Sequence, residues 1–168
     1  MKPNIRTLSW LSLSALGGLL LTAASSTTAQ ATTRCRPVAA RIITQITTEN
    51  CTSPVLLCTK GKVIGGPLSG ASAFTTLGIS PGAGLLPIVP ASTLSYAGDL
   101  SISNGLGTLR LTDVGLLEQS TSRFTELDVI VSGTGAFSGA TGRWFISGAI
   151  TGGGTGFDGL IVGDICTR

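Results

Sequence analysis

With no histidine anywhere in the chain, its chemistry would have to come from carboxylates, one tyrosine and arginines. The commonest general base, and the usual partner of a serine or cysteine nucleophile, is missing. Asp113 stands out among what is left. In the run GTLRLTDVGLL it shares a face with Leu109, Leu111 and Leu117 if the run is a regular strand. A carboxylate among leucines is held toward its neutral form and can serve as acid or base in a dry cavity. The competing reading is a bulge at Gly115 that turns Asp113 toward solvent. Tyr96, the only tyrosine, falls on the apolar side of its strand, where its hydroxyl meets either a ligand or a backbone carbonyl. Arg143 precedes Trp144 and Phe145, and either holds an anionic ligand or stacks on a ring at the surface. Tyr96, Asp113 and Arg143 are therefore the candidate ligand-binding residues, and Asp113 the candidate catalytic one. Glu126 and Asp128 lie two apart on one strand face, close enough to raise each other's pKa. A metal there would need further oxygen ligands that the sequence does not point to, so a solvated face is the expectation for the pair. No metal or diffusible cofactor is expected.

The remaining reactive side chains are Cys35, Cys51, Cys58 and Cys166. Their spacing fits no common zinc finger, and without histidine a mixed site has no partner. An even count in an exported chain points instead to two disulfides, for which three pairings are open. The short loop around TSPVLL favours Cys51–Cys58, which leaves Cys35–Cys166 to tie the first strand to the last. Paired cysteines are also removed as nucleophiles.

Export is read from the first 31 residues. Lys2 and Arg6 precede an apolar stretch from Leu11 to Ala24, and Ala29-Gln30-Ala31 makes an A-x-A cleavage site. Cleavage is expected after Ala31, with Ala24 and Ala29 as alternatives, releasing the protein outside the cytoplasm as a secreted or periplasmic species. No second apolar run approaches the ~20 residues of a spanning helix, so no membrane anchor is expected after signal removal. Removing Lys2 and Arg6 lowers the formal charge from +3 to about +1. No basic run or basic-aromatic interleaving remains, which argues against a nucleic-acid partner.

Residues 32–168 are the size of one domain, and no repeat or linker divides them. Apolar residues do not recur at helical spacing, while β-branched residues cluster in short runs between glycines. Eight strands are expected: Val38–Thr48, Thr59–Gly66, Ala71–Leu77, Thr93–Asn104, Gly107–Leu117, Ser122–Ser132, Thr141–Thr151 and Gly156–Cys166. Short turn signals between the last five suit an up-and-down meander closed into one all-β antiparallel barrel. Thr93–Ser103 shows the clearest period of two, with Leu94, Tyr96, Gly98, Leu100 and Ile102 on one side. In the sixth strand Leu127, Val129 and Val131 oppose Phe124, Glu126, Asp128 and Ile130. A strand apolar on both sides implies a second packing layer or a subunit contact, so a homo-oligomer is an expectation. Ser80–Ala91 carries three prolines and reads as one long loop across a barrel end, with Leu85, Leu86, Ile88 and Val89 either plugging the mouth or lining a lip. Gly98, Gly115, Gly148, Gly159 and Gly163 permit sharp coiling and leave room inside.

The segment GTGAFSGATG, followed by RWFISGAITGGGTGFDGLIVGDIC, resembles the closing strands of the dirigent and allene-oxide-cyclase barrel superfamily, and among its members the uncharacterised bacterial secreted ones most. That group carries GGTG-x-F-x-x-A-x-G before its penultimate strand. Gly133, Thr134, Gly135, Phe137, Ala140 and Gly142 match, while Ser132 replaces the first glycine. A phosphate-cradling role for these glycines fails, because a loop between antiparallel strands has no helix N-terminus or P-loop lysine. The resemblance implies a barrel that steers a reactive intermediate in an apolar interior with few polar groups and no cofactor. Only Asp113, Tyr96 and Arg143 have the chemical types such a site uses.

Two functions follow as expectations. One is an exported barrel that binds a small apolar or amphipathic molecule, or serves structurally, without turnover. The other is an isomerase- or cyclase-like enzyme using Asp113 inside the barrel.

Overall fold

The structure is a computed structural model that describes residues 33–82 and 90–167. Eight antiparallel strands form one closed barrel in sequence order: β1 Arg34–Thr47, β2 Cys58–Ile64, β3 Gly70–Pro81, β4 Thr93–Asn104, β5 Gly107–Glu118, β6 Arg123–Gly133, β7 Thr141–Thr151 and β8 Gly156–Thr167. Helix is confined, among the described residues, to short 3-10 turns such as Gly66–Leu68 and Gly135–Phe137. The sheet closes where β1 pairs with β8, a register that sets Cys35 opposite Cys166. Those two cysteines form one disulfide and Cys51–Cys58 the other, which is compatible with an oxidising compartment.

Alternation decides the core. From β4 inward come Leu94, Tyr96, Leu100 and Ile102, and from β5 Leu109, Leu111 and Asp113; Trp144, Ile146 and Ile161 are fully buried across from them. The turn before β7 is held by Phe137, which is buried, while Gly135 and Gly139 adopt φ of +59° and +68°, a conformation that favours glycine.

Several strand ends depart from the sequence-based expectations. β1 starts at Arg34, four residues early, because β8 supplies a partner as far as Thr167. β3 runs on to Pro81, where a loop from Ser80 was expected. A register shift between Thr76 and Gly78 leaves Leu77 as an extra residue, after which Ile79 and Ser80 still pair with Tyr96 and Ser95. Residues Leu85, Leu86, Ile88 and Val89, expected as plug or lip, lie outside the described residues, as does the signal segment.

The outer wall is uneven. On β5 to β8 one cross-strand row reads Val114, Leu127, Phe145, Val162, and the next reads Leu116, Thr125, Ser147, Leu160. Val114, Phe145, Leu160 and Val162 are each about 60% exposed (59%, 58%, 61% and 60%). The sixth strand is thus apolar on its outer face, as its two-sided pattern required.

Candidate functional site

Register across three strands builds the site. Tyr96 on β4 pairs with Gly115 on β5, and Gly115 pairs with Glu126 on β6. Because Gly115 has no side chain, the Tyr96 ring lies over its backbone, and a Cβ there would overlap the ring. The phenol so reaches the second strand away and donates to Glu126 Oε2 at 2.7 Å. One row along, Gly98, Asp113, Asp128 and Trp144 are consecutive cross-strand partners, with the Phe74 ring seated over Gly98. The room that the strand glycines leave is therefore taken up here by aromatic rings from the preceding strands.

Asp113 and Asp128 are 4% and 0% exposed and directly opposite each other, and no protein group hydrogen-bonds any of their four carboxylate oxygens. Burial raises the pKa of Asp113 to about 8, with Glu126 and Asp99 adding to the shift; the Gly98 main chain opposes it without a well-formed hydrogen bond. Burial also raises Asp128, reinforced by Glu126 and then Asp113. Glu126 is raised by burial against the counter-pull of the Tyr96 hydrogen bond. Tyr96 is held well above the usual phenol range by burial, with Glu126 adding to the effect. Every described lysine and arginine is solvent-exposed, so no cation among them offsets the interior carboxylates.

A cavity of about 90 Å³ opens beside this cluster, lined by residues that include Tyr96, Glu126, Phe74, Phe124, Phe157 and Leu94. Asp113 is not among the lining groups and lies one row from them. Arg143 is exposed on the outer wall, remote from the interior, and its cross-strand partners are Val129 and Asp164. Tyr96 is the one candidate that meets the cavity. Its hydroxyl finds a carboxylate, where the sequence offered a ligand or a backbone carbonyl.

The expectation of a solvated face for Glu126 and Asp128 is overturned. Their β7 partners are Ile146 and Trp144, both fully buried, so the shared pleat carries the two acids inward with them. Gly115 stays in register and does not rotate Asp113 outward. The sequence reading also passed over Phe74, Phe124 and Phe157 as site residues. Phe124 carried a usable signal, since it shares a strand face with Glu126 two residues on.

No family model, curated protein or solved structure matches this chain. The class is set by geometry alone: a small, closed eight-stranded antiparallel barrel with a largely apolar cavity beside a buried carboxylate cluster.

Proposed function

We propose that this is an exported barrel that binds a small, largely apolar molecule at the cavity between Tyr96, Glu126 and the surrounding aromatic rings. The observation that carries the reading is the Tyr96–Glu126 hydrogen bond of 2.7 Å at the wall of a largely apolar cavity whose lining also includes Thr44, Thr59 and Thr76. Convergent polar groups in an apolar pocket orient a ligand and discriminate among ligands. At about 90 Å³ the space suits a small molecule or one end of a larger one, well short of the roughly 300–1,000 Å³ that houses drug-sized ligands. Membership of the dirigent and allene-oxide-cyclase superfamily is part of the same proposal, resting on Gly133 to Gly142 and the strands that follow.

Native mass spectrometry of protein purified from its own host tests the reading, with Leu94→Trp as the filled-cavity control. A retained small-molecule adduct lost in the variant is the expected result. Wild-type protein free of adduct, and unresponsive to a small environment-sensitive apolar dye, overturns it.

A second reading is favoured by one observation, the burial of Asp113 and Asp128 beside the cavity-lining Glu126 with no described cation near them, an arrangement that pushes carboxyl groups toward their neutral form. Such a group can transfer protons in an isomerase- or cyclase-like reaction. Because Glu126 lines the cavity and Asp113 does not, the proton-transfer role falls to Glu126. Turnover abolished by Glu126→Gln and retained in Asp113→Asn is the expected pattern; the reverse returns the role to Asp113.

A further inference from the structure

We infer that the cavity is a cage for a small alkylammonium group, with the rings of Phe74, Tyr96, Phe124 and Phe157 as walls and Glu126 as counter-ion. The inference rests on the ligand-binding reading above and adds the ligand's charge. Four of the chain's eight aromatic residues line this one cavity. They come as two edge-to-face pairs, Phe74–Tyr96 at 6.4 Å and 78° and Phe124–Phe157 at 5.8 Å and 82°. The two pairs bring rings from β3, β4, β6 and β8 to the lining of one cavity. A cation against aromatic faces is stabilised by the ring quadrupole, most strongly where water is excluded.

The electrostatics select in the same direction. Among the described residues Glu126 is the only ionisable acid or base lining the cavity apart from the Tyr96 phenol, Asp113 and Asp128 lie one row away, and every described lysine and arginine is exposed. An anion entering here would meet the Glu126 carboxyl group, with two more one row away and no described cation. A wholly apolar ligand would cover Glu126 and leave its carboxyl group no polar partner beyond the Tyr96 hydroxyl, which is costly. An ammonium offsets that cost, and methyl groups on the nitrogen match the apolar walls. About 90 Å³ fits a methylated ammonium head of a few heavy atoms. The groups that face Glu126 are Tyr96 from β4, Asp113 from β5 and Asp128 on its own strand, with Ile146 its β7 partner. None supplies a positive charge, so cation binding ionises Glu126 and releases its proton.

The test is calorimetric titration at pH 7 with three probes of one shape: choline, its uncharged carbon analogue 3,3-dimethylbutan-1-ol, and the anion 3,3-dimethylbutanoate. Choline is expected to bind at least tenfold more tightly than the alcohol, with no binding of the anion. Its apparent enthalpy should vary with buffer ionisation enthalpy, reporting the released proton. Glu126→Gln, which removes a buried carboxylate and so retains the fold, should erase the tenfold preference; Phe157→Leu should weaken choline more than the alcohol. Equal or tighter binding of the alcohol overturns the cage while leaving the ligand-binding reading intact. If none of the three binds, the cage is overturned, and the apolar dye then decides separately whether the cavity takes any ligand.

Discussion

The Tyr96 hydroxyl donates to Glu126 Oε2 at 2.7 Å across the bare backbone of Gly115, so two residues on non-adjacent strands are joined through the gap left by the strand between them. This contact ties the β4 and β6 walls together and sets the orientation of the one carboxylate that meets the cavity. It needs three things at once: a phenol, a glycine and an acid in a single cross-strand row.

Gly115→Ala therefore acts on a bond that Gly115 does not make. The new Cβ displaces the Tyr96 ring, and the hydrogen bond to Glu126 is lost. Overpacking and the broken bond together are expected to lower stability by about 1–3 kcal/mol, read from the urea midpoint. An unchanged midpoint would show that the ring is free to move without cost.

Stability should be greatest in acid and fall as pH rises toward 8. Asp113, Glu126 and Asp128 all have raised pKa values in the fold, Asp113 at about 8. Below about pH 4 these groups are protonated in folded and unfolded chains alike, so none of them penalises the fold. Above it the unfolded chain ionises first, and the stability is progressively lost up to the folded pKa values. Glu118, held at about 2 by hydrogen bonds from Ser92, Thr93 and Ser120, and the exposed Arg41–Asp158 and Lys60–Glu49 pairs work in the opposite direction, but solvent screens all of them and they contribute little above pH 4. Asp128→Asn should raise neutral-pH stability by about 2–4 kcal/mol and flatten the profile. Thermal melts from pH 4 to 9 check this; a maximum at pH 8 would contradict it.

Loss of the two disulfides should not be equivalent. Cys35–Cys166 spans 131 residues and Cys51–Cys58 only 7. On the chain-entropy argument, serine replacement of the first pair costs about 5 kcal/mol and of the second about 2 kcal/mol. Denaturation of the two double variants compares them, and equal losses would contradict the loop-length ordering.

The apolar outer wall has near-symmetry about the β6–β7 line. Val114 and Val162 flank Leu127 and Phe145 in one row, and Leu116 and Leu160 flank Thr125 and Ser147 in the next. A two-fold axis along that line would set each half against the other half of a second copy, like residues meeting like, as an isologous interface requires. Association into a homo-oligomer is the expected outcome in sedimentation, with Phe145→Lys shifting it to monomer. A wild-type monomer at all concentrations would show that this face stays open.

Legibility of the fold followed from local pattern. The Leu94-to-Ile102 alternation on β4 needs only the two-residue pleat, and it marked Tyr96 as inward. Asp113 shares a face with leucines, but the pattern left a turn toward solvent at Gly115 open, and only the β4–β5 register closed it. The β6 pattern is ambiguous, because Phe124 and Ile130 oppose Leu127, Val129 and Val131, and a strand apolar on both sides does not say which face is wet. The cavity was less legible still. Phe74, Phe124 and Phe157 sit on three separate strands, and nothing local brings them together.

What the amino-acid sequence determined by itself was the all-β class, the order of the strands and the even count of cysteines, since period, turn residues and composition are properties of neighbours along the chain. The tertiary structure alone decided that Glu126 and Asp128 go inside, that Arg143 stays out, and that Tyr96 answers Glu126 over Gly115. Those outcomes depend on register between strands distant in sequence, where a shift of one residue sends a side chain from the interior to solvent.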